Sequence, residues 1–308
     1  MLCLLADLCW PRRPYHIKET KLAEARCPAS CGELLQGWIL GGEKLVSCPV
    51  DWFSTVCVVD GTPLPSERPL MRAALGAVLR YAGLPAQRAG TLRITFDSTI
   101  PLAKGMASST ADIAATAVAT ARHLAIPLPI EALAALCVSL EPTDSTLFPG
   151  LTLFDHLTGT TTVPCGGLPG CEILLLESPN QLRTADFHQR DLRAILQESA
   201  PALNRAWHLL QQACKTDNPW LLGEATTLSA VASQQFLAKP GFDALRNIVE
   251  GNNLFGINVA HSGSVVGLLL DSHHHDVEKV TWQITNHAAL AHHWPRHYLL
   301  RLIAGGVE

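Results

Sequence analysis

The chain is poor in charge of either sign: 16% of its 308 residues are Asp, Glu, Lys or Arg, and 23 basic against 27 acidic side chains leave a formal net charge of −4. Proteins that wrap nucleic acid carry a basic stripe for the phosphates, so that class of partner is not expected. Cysteine is sparse too, ten residues in all, whereas a disulfide scaffold is short and holds about 8–10% cysteine. Free thiols in a reducing cytoplasm are therefore expected. No run approaches the ~18 consecutive apolar residues of a membrane helix. The first ten residues, MLCLLADLCW, are apolar but interrupted by Asp7, and they lack a basic leader and a small-residue cleavage site, so they do not read as a signal peptide. Three common signatures are also missing: the Walker G-x-x-x-x-G-K-[ST], the dinucleotide G-x-G-x-x-G, and any C-x-x-C pair. Cys27, Cys31, Cys48 and Cys57 match no zinc-finger spacing. The run His273-His274-His275, followed by Asp276 and Glu278, reads as a solvated helix start. There is no internal repeat and no low-complexity tract.

What the chain does have is 48% hydrophobic residues, enough for a large core, arranged in alternating strand and helix patterns. Residues 1–21 read as an N-terminal extension. A short strand at 22–27 is closed by Pro28, and 45–59 reads as two short strands kinked at Pro49. A helix over 67–81 ends at Gly83 and Pro85, and a half-buried strand spans 91–97. Helices follow over 106–125 and 130–139, then a hairpin at 151–154 and 160–163. After the Pro/Gly-rich stretch 164–170 a buried strand at 173–176 restarts the pattern. It is followed by helices between 188 and 250, strands at 255–260 and 265–270, a helix, and a last strand near 298–303. The boundary at 164–170 gives two α+β halves, 22–168 and 169–308.

The stretch Pro101-Leu102-Ala103-Lys104-Gly105-Met106-Ala107-Ser108-Ser109-Thr110-Ala111-Asp112 lies between a strand and an alanine-rich helix. The first turn of a helix exposes backbone N–H groups without partners, and the dipole adds about half a positive charge there. Small residues at Gly105, Ala107, Ser108 and Ser109 let an anion approach the backbone. The hydroxyls of Ser108, Ser109 and Thr110 can cap the helix, bond phosphate or ligate Mg²⁺. An ordinary helix cap before an amphipathic helix fits the same residues.

That stretch resembles the second motif of the GHMP small-molecule kinases, roughly P-x-G-x-G-L-G-S-S-A. Upstream, Pro28-Ala29-Ser30-Cys31-Gly32-Glu33-Leu34-Leu35-Gln36-Gly37 sits where the family has its first motif. Downstream, Gly256-Ile257-Asn258-Val259-Ala260-His261-Ser262-Gly263-Ser264-Val265-Val266-Gly267 resembles the glycine-rich third. Within the family, CPASCGELLQGWILGGEKLVSCPVDW, AKGMASSTADIAATAVATA, LEPTDSTLF and NVAHSGSVVGL are similar to the branch that phosphorylates L-threonine for the aminopropanol phosphate linker of cobalamin. The resemblance implies a GHMP fold: an ATP-binding half like the second domain of ribosomal protein S5, and a ferredoxin-like second half. It also implies ATP and Mg²⁺ as cofactors and L-threonine as the small-molecule partner, or homoserine or another small alcohol in its place. A homodimer is compatible with it, as is a non-catalytic ligand-binding relative.

Carried over residue by residue, the resemblance puts ATP on Pro101, Lys104, Gly105, Met106, Ala107, Ser108, Ser109 and Thr110, and the metal on Ser108 or Ser109 with Glu141. Asp144 is the first choice for the base that takes the hydroxyl proton, with Asp155 in reserve; Asp144 could instead hold the substrate ammonium or the metal. Asp51, Ser262, Gly263 and Ser264 are candidates for substrate binding. Glu33 orders the nucleotide side or is a buried structural carboxylate. Two departures stand out. Ala103 and Ala107 replace glycines common in the family, and Ser30 replaces a lysine, leaving Lys104 as the nearest basic substitute.

Overall fold

The strand expected to end at Pro28 continues through it. In the computed structural model, which describes residues 23–180, 193–260 and 263–308, β1 runs over Ala23–Ile39 and β2 over Gly42–Asp60, each as one long strand. The extension at 1–21 lies outside the described residues. Both prolines are accommodated because the β1–β2 register slips between Pro28 and Ala29, between Ser30 and Glu33, and between Glu33 and Leu35. Proline is tolerated at such bulges, where a ladder hydrogen bond is already lost. The two strands close over Leu40-Gly41, both with positive φ (48° and 79°), the two-residue turn that suits the twist of a hairpin.

The remaining elements follow the sequence pattern to within a few residues: α1 Pro69–Tyr81, β3 Leu92–Ser98, α2 Ser108–His123, α3 Ile130–Val138, β4 Thr152–Phe154 and β5 Thr162–Pro164. Then come β6 Glu172–Glu177, α4 Arg193–Glu198, α5 Ala200–Thr216, α6 Pro219–Ser233 and α7 Phe242–Gly251. Strands β7 Gly256–Val259 and β8 Val265–Leu270, helix α8 Val277–Asn286 and strand β9 Arg296–Arg301 complete the fold. The nine strands form one antiparallel sheet in the order β5-β4-β2-β1-β7-β8-β6-β9, with β3 on the far part of β2. Stretches before and after 164–170 are joined in the sheet where β1 pairs with β7 through Glu33 and Val259, and again at the Val50–Leu302 bridge.

Helix α2 lies against β1 and β2 and is buried almost all round. Its threonines tolerate this because Thr116 Oγ1 donates to the Asp112 carbonyl (2.6 Å) and Thr120 Oγ1 to the Thr116 carbonyl (2.7 Å). Buried Asp112 accepts from Ser54 Oγ at 2.6 Å and pairs with Arg68. One apolar cluster fills the space between the β1–β2 ribbon, α1, α2, α5 and α6, and so draws on both sides of the 164–170 stretch. A second lies between β6–β8 and α7 and α8, around Ile257, Leu268, Val280 and Trp294.

Candidate active site

Helix α2 starts on a backbone that alanine rarely adopts. Its N-cap, Ala107, has φ 55° and ψ 26°, and no side chain caps the helix; Ala103 (φ 57°) and Gly105 (φ 77°) are left-handed as well. The positions where the family has glycine thus keep glycine's conformation, at a cost of about 1–2 kcal/mol per alanine. The first intrahelical bond runs from Ala111 N–H to the Ala107 carbonyl (2.8 Å). The N–H groups of Ser108, Ser109 and Thr110 precede it, at the positive end of the dipole.

The loop is held from both sides. Ser30 N–H donates to the Met106 carbonyl (3.1 Å), Gly32 N–H to the Gly105 carbonyl (3.2 Å) and Ser264 N–H to the Lys104 carbonyl (2.9 Å). A Cβ on Gly105 would lie 2.6 Å from Ala260 Cβ and 2.8 Å from Gly263 Cα. The three sequence motifs therefore meet at one point. Gly105→Ala combines that clash with a left-handed φ, and is expected to raise the KM for ATP by about 10-fold or more, measured by ATP titration of initial rates.

Beside the loop is a cavity of about 500 Å³, walled by Ala103, Gly105–Ser109, Glu141–Asp144, Glu33, Gln36, Leu45 and His156, within the size range of a small-molecule site. Asp144, half-buried on this wall, is held by its neighbours. Its Oδ2 accepts from Thr110 Oγ1 (3.2 Å), its Oδ1 accepts from Ser47 Oγ (3.4 Å), and its N–H donates back to Thr110 Oγ1 (3.2 Å). Burial, then the Glu33 and Glu141 carboxylates, push its carboxyl up to about 7 against the opposing Thr110 and Ser47 bonds. An acid poised near neutrality suits a general base.

Glu141 lies at the other end of this acidic wall. Its Oε1 is buried with no hydrogen-bond partner among the described residues. Burial raises its carboxyl, the Ser109 hydroxyl donates to it and opposes the rise, and Asp112 adds to it. An orphaned carboxylate oxygen next to a hydroxyl is a donor pair for a hard cation. Magnesium needs only one or two protein ligands when phosphates and water supply the rest. The pair fits Mg²⁺ although no group of three or more His, Cys, Asp or Glu side chains suited to a metal exists among the described residues.

Other expected site residues fall elsewhere. Lys104 is buried, but its ammonium turns away from the cavity to the Ser178 and Asn180 carbonyls (2.6 and 2.7 Å), with Glu177 Oε1 at 3.8 Å. Burial lowers its pKa and Glu177 opposes this. Lys104 and Pro101 line a neighbouring hollow instead. Asp51 is bound by Arg301, through the backbone N–H and Nε at 2.8 Å each, and is not on the cavity wall. Thr110 is committed to Asp144, and Met106 borders the cavity with its side chain buried in the core. Ser262 lies outside the described residues. Gly263 and Ser264 act on the cradle: the Gly263 carbonyl accepts from Lys239 Nζ (2.6 Å), and Ser264 Oγ donates to the Asn180 carbonyl (2.8 Å). Ser30 is buried, donating to the Gly32 carbonyl and accepting from Cys48 N–H. Asp155 caps its own turn, accepting from Thr158 and Thr160.

Among the wall residues that carried no role on sequence grounds are Gln36, Leu45 and His156, whose Nε2 lies 3.8 Å from Glu43 Oε1. Gln36 stands inside the first motif, the one signal that pointed to it. Leu45 and His156 reach the site only because β2 and β4 pair through Leu45 and Phe154.

Comparison with known proteins agrees with this geometry. Residues 69–148, from the first residue of α1 to just beyond Asp144, match the model for the GHMP kinases N terminal domain. The chain is 57% identical to an L-threonine kinase of Citrobacter freundii, over 93% of this chain and 99% of that one. It is 54% identical to an L-threonine kinase of Salmonella typhimurium strain LT2, over 95% and 97%. Among solved structures, a homoserine kinase from Cytophaga hutchinsonii superposes with a TM-score of 0.67 at 14% identity, over 96% of this chain and 99% of that one, a likeness of fold. With more than half of its residues shared along nearly the full length of two L-threonine kinases, and residues of the first two motifs lining one cavity whose loop is held by the third, the chain belongs to the GHMP kinase family.

Proposed function

We propose that the protein transfers the γ-phosphoryl group of ATP to the hydroxyl of L-threonine, giving O-phospho-L-threonine and ADP. The observation that carries this is the shared cavity: a helix N-terminus stripped of side-chain caps faces a buried carboxyl with a pKa near neutrality. The two L-threonine kinases that match along nearly their whole length identify the acceptor.

Phosphoryl transfer asks mainly for positioning and charge neutralisation. The N–H groups of Ser108–Thr110 take the charge on the transferring phosphoryl oxygens. Ser109 and Glu141 would hold Mg²⁺, which when bound neutralises the β- and γ-phosphates. Asp144 accepts the threonine hydroxyl proton as the new O–P bond forms and the bond to the departing ADP breaks. Thr110 and Ser47 fix the direction in which that carboxylate points. Lys104 serves the cradle as a strut, so neutralisation falls to backbone dipoles and cation. A cytoplasmic setting belongs to this proposal, as does use of the product for the aminopropanol phosphate linker of cobalamin, both supported by the resemblance of the motif strings.

The test is ADP release by the purified protein with Mg·ATP and a panel of L-threonine, L-serine, L-homoserine and mevalonate. Threonine is expected to give the highest kcat/KM. Release that depends on another alcohol and not on threonine would overturn the assignment.

A further inference from the structure

The amide of Gln36 stands in the cavity without an assignment. Its residue is buried, its Oε1 has no hydrogen-bond partner among the described residues, and it forms part of the cavity wall. Buried polar atoms in native proteins are nearly always bonded, so an acceptor left open on a cavity wall points to a donor on the ligand. The neighbours leave it open. Leu45, directly opposite across the ribbon, has no polar side-chain atom to offer. Ser229 Oγ, on α6, is used by the Gln36 backbone N–H at 3.1 Å, which fixes the residue in place.

Position adds a second argument. In an unbroken strand, residues three apart face opposite sides. The register slip between Glu33 and Leu35 cancels that alternation, and Glu33 and Gln36 both reach the cavity. The cavity carries three carboxyl groups, from Glu33, Glu141 and Asp144, and so favours cationic groups. Glu141 faces the cradle serines and Asp144 the reacting hydroxyl, while Glu33 already lies in the field of the Lys239 ammonium, so the open acceptor at this end of the wall is the Gln36 amide. A neutral amide at this end supplies an acceptor without a fourth negative charge, which would push Asp144 further from ionisation.

We propose that Gln36 Oε1 accepts a hydrogen bond from the α-ammonium of the acceptor, making Gln36 the residue that selects an amino acid over a plain hydroxy acid. This inference rests on the threonine-kinase reading above. A site built around such a bond rejects the analogue lacking the donor by orders of magnitude, because its own polar group is then stranded.

The experiment compares kcat/KM for L-threonine and for (R)-3-hydroxybutyrate, which keeps the hydroxyl, methyl and carboxylate and lacks only the ammonium. Wild type is expected to prefer threonine by about 10³-fold or more. Gln36→Met, close in length but without acceptor, is expected to lose about 10- to 100-fold of that preference. The loss should come through the KM for threonine, with the KM for ATP unchanged. Gln36→Asn withdraws the oxygen by one methylene while keeping an amide at the wall, and should show the same loss, so the test does not hang on the folding of one variant. A Gln36→Met or Gln36→Asn enzyme with the wild-type preference and a threonine KM within about twofold of wild type overturns the role of Gln36 alone. A wild-type enzyme that releases no ADP with threonine overturns the function reading, and this inference with it.

Discussion

Glu141→Gln and Ser109→Ala are each expected to lower kcat by about 10²-fold or more, the usual effect of removing one group that stabilises transition-state charge. The two side chains form the only part of the cavity wall where a buried, unpartnered carboxylate oxygen among the described residues lies beside a hydroxyl at the cradle. Removing either should raise the Mg²⁺ concentration needed for half-maximal rate while leaving the KM for threonine near its wild-type value. Stability should move the other way in Glu141→Gln, because burial opposes the ionised form of this group and the amide carries no charge to desolvate. A Mg²⁺ titration of initial rates beside a thermal melt reads both effects. Full activity of both variants would remove this pair from the metal site.

Asp144→Asn carries the second large effect. Without an acceptor for the hydroxyl proton, kcat is expected to fall by about 10²–10⁴-fold, and the acid limb of the pH profile should vanish with it. In wild type, kcat/KM should fall as the pH drops below about 7, where the raised carboxyl takes up its proton. The sign for stability is opposite. A carboxyl raised from 3.8 to about 7 in the folded state favours folding most when protonated. Its contribution is complete below its unfolded value and lost as the pH rises through about 7. The wild-type ligand-free protein should therefore lose stability between pH 4 and pH 8 through this group. Asp144→Asn should melt higher at pH 8, by about 4 °C or more for a chain of this size, and should match wild type near pH 4. An unchanged midpoint at pH 8 would show that Asp144 ionises there without penalty.

These predictions draw on parts of the molecule that differ in how much the amino-acid sequence reveals. The cradle was legible because its chemistry is local. Small residues with three hydroxyls ahead of an alanine-rich run specify a helix start and an anion site through backbone geometry alone. The helix and strand limits were legible for the same reason, since the periods of burial are written in neighbouring residues. Glu141 and Asp144 were visible as acids following two helices, but their unequal environments were not. The contacts to Ser109 and Thr110 and the contact to Ser47 come from two other, widely separated stretches of chain.

Proline at 28 and 49 suggested broken strands, and the sheet overrode that suggestion by slipping register at Pro28 and again on either side of Glu33. The last of these slips, between Glu33 and Leu35, turned Glu33 and Gln36 to one side, which alternation along β1 would have forbidden. Lys104 looked like a phosphate ligand by position and is tied instead to carbonyls more than seventy residues away, while Asp51 is claimed by Arg301 from the last strand. The sequence by itself determined that this chain makes an anion cradle, two acids near it and a GHMP-like order of motifs, because those are properties of short segments. Only the tertiary structure decided which side chains enter the cavity. A side chain's direction depends on the register of its strand and on the partners that long-range packing brings to it, and neither is encoded within the motif that contains it.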